Sequence, residues 1–239
     1  MHHVVLDRWS RGQSWIHARD ARVKLASALA LLVAIATVRP GVYGPVAGSL
    51  ALAAIAASLA RLPVWGLLWR AGLVLPFTGT FAAMSWLSGD AERAASLVLK
   101  SYASAFSVIL LLAVTPFPAL CRAAEWFRVP RILILLMQFI YRYLFVVSEQ
   151  AQHMWLAAAC RGGDRRLRFR AAAGAVAVLF ARSYQRAEGI QHAMQARGFK
   201  GRFEALGGSR FRVADLLFLT VALLLILGIR TGGGQAWNR

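Results

Sequence analysis

Five apolar stretches, each close to the length of a membrane crossing, constrain this chain more than any other feature of its sequence. They are residues 25–38, 42–60, 71–87, 94–114 and 213–229. A transmembrane helix needs about 20 mostly apolar residues. The whole chain is 59% hydrophobic and 16% charged, whereas soluble domains have about 45 to 50% apolar and about 25% charged residues. The sequence therefore predicts an all-α, polytopic membrane protein with about five transmembrane helices.

The basic residues are distributed unevenly between the segments outside these stretches. If the amino terminus is cytoplasmic and all five stretches cross, 23 of the 28 lysines and arginines lie on the cytoplasmic side, in residues 1–24, 61–70 and 116–212. Cytoplasmic loops of membrane proteins carry an excess of Lys and Arg. The formal net charge of +18 is therefore interpreted as a signal of topology and of partner docking, and nucleic acid is not expected as a ligand.

This orientation divides the chain into five parts. The predicted parts are a cytoplasmic amino-terminal segment (1–24), transmembrane helices 1–4 (25–114), a region of amphipathic cytoplasmic helices (115–212), a last transmembrane helix (213–229) and a carboxy-terminal tail (230–239). Residues 131–147 are also apolar, but Arg142 interrupts them, and an arginine at the membrane midplane costs about 2.5 to 3.5 kcal/mol. We expect this segment to be buried in the helical bundle, and whether it crosses is left open.

The sequence of region 115–212 predicts three helices. The first is a short amphipathic piece at 119–127, and the second begins at Pro130 and ends near Arg161. Positions at helical spacing predict one face of this second helix, formed by Tyr143, Val147, Ala151, Met154, Ala158 and Arg161. After an arginine-rich linker predicted at 163–170, a third helix at 171–197 has a predicted face of Phe180, Tyr184, Ala187, Gln191 and Met194.

The second and third helices end alike, in a small residue, an arginine and a glycine. The two sequences are Ala159-Cys160-Arg161-Gly162 and Ala196-Arg197-Gly198. Either end alone is what an ordinary helix carboxy terminus looks like, because glycine terminates helices and a cation suits the helix dipole there. Two copies on neighbouring amphipathic helices favour a second interpretation, in which a partner with two similar pockets, such as an ATPase dimer, binds both ends.

Signals for chemistry within the chain are absent from the sequence. It contains no Gly-Lys dipeptide, so it lacks the phosphate-binding loop G-x-x-x-x-G-K-[ST], and any ATP that drives this protein is bound by another chain. Cys121 and Cys160 have neither disulfide-scaffold nor metal-type spacing. We predict no cofactor, no metal site and no catalytic residue.

The sequence resembles the transmembrane (T) component of energy-coupling factor importers, the EcfT/CbiQ family, over nearly its whole length. The resemblance rests on the two helix ends, on the segment Tyr141-Arg142-Tyr143-Leu144-Phe145 and on Ala193-Met194-Gln195-Ala196-Arg197-Gly198-Phe199. It differs from the family at Cys160, where alanine is usual, and at Asp20-Ala21-Arg22-Val23-Lys24-Leu25, where the family has proline after the aspartate.

The resemblance implies a transporter subunit in the bacterial inner membrane with no enzyme activity of its own. In that family the T component binds two ATP-binding-cassette ATPases through the helix ends and a substrate-capturing S component in the membrane. A further small accessory membrane subunit is an open possibility. The ATPase-coupling residues implied are Ala159, Cys160, Arg161, Gly162, Ala196, Arg197 and Gly198.

The start of the chain, Val5-Leu6-Asp7-Arg8-Trp9-Ser10 followed by Gly12-Gln13-Ser14, resembles the cobalt and nickel members of the family most. A vitamin importer that uses biotin or a shared module stays open. Two other classes were weighed. A membrane enzyme acting on lipids should show clustered acids or histidines, which the sequence lacks, and a basic membrane-anchored adaptor should bind anionic lipid or nucleic acid without any ATPase.

Overall fold

The computed structural model describes residue 9, residue 12 and residues 14–162, 165–199 and 213–235, with side chains for all of these except 165–169 and 232–235. The described helices are α1 (Ala21–Ala36), α2 (Gly44–Leu59), α3 (Val64–Ala71), α4 (Leu75–Leu87), α5 (Ala91–Val114), α6 (Phe117–Trp126), α7 (Arg131–Cys160), α8 (Arg165–Ala196) and α9 (Val213–Gln235). The described residues contain no β-strand, so the predicted all-α class is confirmed.

Within the part of the chain that the structure describes, four segments are long and apolar enough to cross a membrane. They are Val64–Leu87, Ala91–Val114, Arg131–Cys160 and Val213–Thr231. The first two predicted crossings, 25–38 and 42–60, fold as α1 and α2, which have 16 residues each. Sixteen helical residues extend only about 24 Å, which is less than the hydrocarbon thickness of about 30 Å. The fold is polytopic as predicted. Three of the five predicted crossings, 71–87, 94–114 and 213–229, lie within these segments, and the remaining segment is Arg131–Cys160.

The expectation that residues 131–147 are buried in the bundle is wrong. These residues form the first half of the unbroken helix α7, in which Ile134 is the one buried residue. Leu136, Ile140 and Leu144 expose about half of their surface each. The apolar side chains of residues 131–147, which were expected in the protein interior, are therefore accessible to lipid or to another chain.

Residues 61–70, predicted as a segment between two crossings, are mostly helical. Pro63 precedes α3, a short 3₁₀ segment at Gly72–Val74 follows, and Pro76 lies in the first turn of α4. The α-helix is therefore interrupted ahead of Pro76, at a position where proline suits a helix start.

Two compact units make up the chain: Met1–Phe127 with Gly208–Arg239, and Arg128–Gly207. In the first unit α1 packs against α2, α5, α6 and α9, and α5 packs against α2, α3 and α4. Its core combines a few large side chains, among them Phe106, Ile35 and Leu67, with fully buried alanines at 57, 71, 103 and 113. Small residues let helices approach closely, as the alanine-rich composition of α2 predicted.

The second unit consists of α7 and α8, which contact each other. Five of the six residues of the predicted face of α7 are partly buried, namely Tyr143, Val147, Ala151, Met154 and Ala158, and the sixth, Arg161, is exposed. The predicted face of α8 is wrong at Phe180 and Tyr184, which are 73% and 60% exposed, and at the exposed Ala187 and Gln191, whereas Met194 is partly buried as predicted. The partly buried positions of α8 are Ala175, Leu179, Ser183, Ile190 and Met194.

Two helix boundaries also differ from the sequence prediction. Helix α8 begins at Arg165, within the stretch predicted as an arginine-rich linker. Helix α9 continues to Gln235, within the predicted tail. The additional residues of α8 are rich in arginine, which has a favourable helix propensity, whereas those of α9 include Gly232, Gly233 and Gly234, which do not. The amino-terminal histidines His2 and His3 lie outside the described residues.

Candidate functional site

Helix α7 ends at the first of the two predicted motifs. Arg161 is its carboxy-terminal cap, and the next residue, Gly162, has φ of +69°. The Arg161 N–H donates to the Ala157 carbonyl at 3.3 Å, and the Gly162 N–H donates to the Ala159 carbonyl at 3.2 Å. A left-handed residue is favourable for glycine because glycine has no Cβ. The predicted terminator is therefore present.

Helix α8 ends in the same way at the second motif. Gly198 has φ of +70°, and its N–H donates to the Gln195 carbonyl at 2.9 Å. The Phe199 N–H then donates to the Met194 carbonyl at 3.0 Å. These two bonds form a Schellman motif, which satisfies carbonyls at the helix end that otherwise lack partners.

The backbone geometry alone does not distinguish these two ends from others in the molecule. The helix α4 also ends in a left-handed glycine, Gly89, and the Asp90 N–H donates back to the Ser85 carbonyl at 3.1 Å. What the two motifs add is an arginine at the cap position, preceded by small residues. A cation at this position interacts favourably with the negative end of the helix dipole.

All seven predicted coupling residues are exposed, and they are Ala159, Cys160, Arg161, Gly162, Ala196, Arg197 and Gly198. A Cβ built on either glycine meets no atom within 4 Å. Across the described part of the chain, neither the Arg161 nor the Arg197 guanidinium group forms a side-chain hydrogen bond or an ion pair. The five N–H donors of each guanidinium group are therefore available to a partner, and the neighbouring side chains of both motifs are small.

A second polar cluster lies in the other unit, at the start of α1. Asp20 caps this helix, because its Oδ1 accepts the Arg22 N–H at 2.9 Å. The Lys24 ammonium donates to the His17 carbonyl at 3.0 Å and to the Val114 carbonyl at 3.3 Å. Asp215, in the first turn of α9, accepts the Asp20 N–H at 3.3 Å. The cluster thus joins α1 to the end of α5 and the start of α9.

Burial and charge oppose each other at Lys24, which precedes the first predicted crossing. The pKa of Lys24 is lowered from its ordinary value of 10.5 to about 8. Burial causes this decrease, and the nearby carboxylates of Asp20 and Asp215 partly offset it. Asp20, Lys24 and Asp215 expose 7%, 6% and 3% of their surface. A lysine that is this buried keeps its charge near neutral pH because two carboxylates and two carbonyls surround it.

Sequence reasoning did not find this cluster as a unit. In the sequence, Asp20 and Lys24 belong to the segment Asp20-Ala21-Arg22-Val23-Lys24-Leu25, and Asp215 lies near the start of the last predicted crossing. The spacing of four between Asp20 and Lys24 is a usable local signal, since such residues are neighbours on a helix. Nothing local connects either residue to Asp215, because that contact depends on how α1 packs against α9.

A family model described as cobalt transport protein, CbiQ, matches residues 12–206. The chain is also similar to the cobalt transport protein CbiQ of Rhodobacter capsulatus, with 29% identity over 215 residues, which cover 84% of this chain and 86% of that protein. The matched residues include both arginine-bearing helix ends. Of the polar cluster they include Asp20 and Lys24 but not Asp215.

Proposed function

The chain belongs to the CbiQ family of cobalt transport proteins, and we propose on that basis that it is the coupling subunit of an energy-coupling factor importer for cobalt or nickel. In this proposal it binds no ATP and catalyses no reaction. Two ATPase subunits hydrolyse ATP, and an S component in the membrane captures the ion. In this proposal the chain lies in the bacterial inner membrane with its amino terminus in the cytoplasm.

The observation that carries the proposal is the pair of matching helix ends. Arg161 and Arg197 are both exposed, both lie at a helix carboxy terminus and are both followed by a glycine with φ close to +70°. A pair of similar ATPases offers two similar pockets. A single chain that binds both pockets needs two similar segments, one for each. A guanidinium group suits this role because its rigid fork of donors can hold a carboxylate or a pair of carbonyls in one orientation.

Transmission of motion follows from the length of the helices. Helix α8 has 32 residues and is therefore about 48 Å long. A helix of this kind moves largely as one body, so a shift of its Arg197 end when the ATPases close displaces its whole length. The S component, proposed to contact α7 and α8 through their exposed apolar side chains, is reoriented by this movement.

The connection between the helices constrains how they meet the membrane. Arg161 ends α7 just before α8 begins, whereas Arg197 is at the far end of α8. If α8 crossed the membrane, the two arginines would lie on opposite sides of it. ATPases on one side can bind both arginines only if α8 runs along the membrane surface.

The test uses three variants and a matched control in a strain that depends on this transporter. Arg161→Ala and Arg197→Ala each remove one arginine, and the double variant removes both. Arg182→Ala is the control, because Arg182 is an exposed arginine in the middle of α8. The measurements are uptake of radioactive cobalt by cells, the level of the protein in membranes and the amount of ATPase that copurifies in mild detergent.

We expect each single variant to weaken ATPase binding by roughly 30-fold or more, since removal of one partner of a buried charged pair costs about 2 to 5 kcal/mol. The double variant should retain no uptake, and Arg182→Ala should behave as wild type. Full uptake by the double variant at normal membrane levels would refute the proposal. Competition by nickel, and no competition by biotin, would support an ion as the substrate.

A further inference from the structure

A large polar cavity lies where the start of α1, the end of α5, helix α6 and the start of α9 meet. Its volume is about 640 Å³. Four cationic side chains line it, those of Arg19, Arg22, Lys24 and Arg122, together with the carboxylates of Asp20 and Asp215. The formal charge of the lining is therefore two positive charges when His17, which also lines it, is neutral.

The two carboxylates are already engaged with groups of the wall. Asp215 lies 3.8 Å from the Arg19 guanidinium and accepts the Asp20 N–H, and Asp20 caps α1. Among the residues that the structure describes, Arg22 and Arg122 have no ion pair. The cavity thus has a surplus of positive charge on two arginines, one on α1 and one on α6.

Two polar atoms of the same wall have no hydrogen-bond partner among the described residues. They are the Arg19 Nε and the Thr115 Oγ1, and Thr115 exposes only 2% of its surface. An unpaired buried donor is unfavourable, and natural structures rarely leave one without a reason. An anion with several acceptor oxygens would supply the kind of acceptor that the Arg19 Nε–H and the Thr115 hydroxyl group lack.

An apolar groove begins where this cavity ends. It has a volume of about 320 Å³ and shares Lys24 with the cavity, while Val114 in the groove is followed directly by Thr115 in the cavity. Aliphatic side chains of α1, α2, α5 and α9 line it, including Leu31, Leu52, Leu111 and Leu225. Trp15, 60% exposed and 5.9 Å edge-on from Phe218, lies on its border, as tryptophan does at a membrane interface.

We propose that the cavity and the groove together bind one anionic phospholipid, with its phosphate in the cavity and one acyl chain in the groove. The positions agree with the bilayer, because Val114 ends one candidate membrane span and Val213 begins another, so Thr115 and Asp215 lie at the depth of lipid headgroups. A free phosphate ion would explain the basic cavity but would leave the apolar groove empty. The site belongs to the first unit and does not depend on the ATPase-coupling proposal.

The experiment uses the full-length protein, purified in mild detergent and depleted of lipid. Phosphatidylglycerol, phosphatidylcholine with the same acyl chains, or inorganic phosphate is added. Bound lipid is counted by native mass spectrometry, and the midpoint of thermal unfolding is measured. We expect phosphatidylglycerol to be retained and to raise the midpoint, phosphatidylcholine to be retained much less, and inorganic phosphate to leave the midpoint unchanged.

Two variants and a control locate the site. The double variant Arg22→Gln with Arg122→Gln should weaken phosphatidylglycerol binding by about 30-fold, because each basic residue near a headgroup contributes about a factor of five. Ala222→Phe, which fills the groove, should also lose the lipid while keeping all cations. The control Arg39→Gln changes an exposed arginine beyond the other end of α1 and should bind as wild type.

Three results would overturn the proposal. They are equal retention of phosphatidylglycerol and phosphatidylcholine by the wild type, an equal rise of the midpoint with inorganic phosphate alone, or unchanged phosphatidylglycerol binding by Ala222→Phe. The first would remove the charge preference, the second would make the ligand a free anion, and the third would show that no acyl chain occupies the groove.

Discussion

The Oδ1 atom of Asp215 accepts a hydrogen bond from the backbone N–H of Asp20 at 3.3 Å, across 195 residues of sequence. Asp20 is the amino-terminal cap of α1, and Asp215 lies in the first turn of α9. The same carboxylate lies 3.8 Å from the Arg19 guanidinium. One buried acid therefore fixes the start of the last helix against the start of the first.

We expect Asp215→Ala to destabilise the protein strongly. The substitution leaves the Asp20 N–H and the poorly exposed Arg19 guanidinium without this acceptor, and breaking a buried charged pair costs about 3 to 5 kcal/mol. Thermal unfolding in detergent, followed by circular dichroism, measures the effect. Asp90→Ala is the control, since the Asp90 and Arg93 side chains are 52% and 67% exposed and such pairs contribute about 0 to 1 kcal/mol. Similar midpoints for the two variants would contradict a structural role for Asp215.

The low pKa of Lys24 predicts a pH dependence of stability. With a pKa of about 8 in the folded protein and 10.5 when unfolded, the unfolded state binds more protons between these two values. Folding stability should therefore rise with pH across this window, by on the order of 3 kcal/mol from Lys24 alone. Below pH 8 the residue is protonated in both states and its contribution is constant.

Lys24→Met isolates this contribution, because it removes the titrating group and keeps most of the side-chain volume. The measurement is the midpoint of urea unfolding in detergent at pH 7.5, 9 and 10.5, taken as the difference between wild type and variant. As the pH rises, the midpoint of the wild type should increase relative to that of Lys24→Met. A difference that is independent of pH would show that Lys24 titrates at its ordinary value in the folded protein.

Local patterns in the sequence were sufficient for the helix ends and for one face of α7. Glycine after the last turn, arginine at the cap and a period of three to four residues are properties of a single helix, and Gly162, Gly198 and the face through Val147 are found where they were predicted. The roles of Arg161 and Arg197 toward a partner stay predictions, because they depend on the surface of another chain.

Features that depend on packing between helices could not be predicted in this way. Leu179 and Phe180 are both apolar, and only the contact made by α8 decides that Leu179 is partly buried while Phe180 is 73% exposed. The exposed apolar face of α7 has a similar cause. Hydropathy shows that residues 131–147 avoid water, but it does not distinguish burial in the same chain from contact with lipid or another subunit.

Gly198 should be needed for its backbone conformation and not for close packing. Its φ of +70° is strained for any residue with a Cβ, and no atom lies within 4 Å of a built Cβ. Gly198→Ala should therefore destabilise the end of α8 by about 1 to 2 kcal/mol. Hydrogen exchange of the Phe199 amide, which donates to Met194, should become faster by about tenfold.

Gly189→Ala is the matched control for this prediction. Gly189 lies inside the same helix, also without an atom near a built Cβ, so alanine there should stabilise α8 by about 1 kcal/mol. Slower exchange in Gly189→Ala together with faster exchange in Gly198→Ala separates backbone conformation from a general effect of adding a methyl group. Unchanged exchange at Phe199 in Gly198→Ala would contradict the Schellman end.

The two native cysteines report on the orientation and occupancy of the Arg161 end. Cys160 is exposed, whereas Cys121 is buried and burial raises the pKa of its thiol. The thiolate is the reactive form of cysteine, so a membrane-impermeant maleimide should label Cys160 and leave Cys121 largely unreacted. Labelling of Cys160 should occur in inside-out membrane vesicles and not in intact spheroplasts if this helix end faces the cytoplasm.

Bound ATPases should protect Cys160, because this residue directly precedes Arg161 in the proposed contact. We expect its labelling rate to fall by about tenfold or more when the ATPases are present, and to recover in Arg161→Ala, where binding is weakened. Cys160→Ala, which introduces the residue usual in the family, serves as the control that identifies the labelled thiol and should keep full uptake. Rapid labelling of Cys160 from the outside of spheroplasts would place Arg161 on the wrong side of the membrane for any ATPase and would exclude its coupling role.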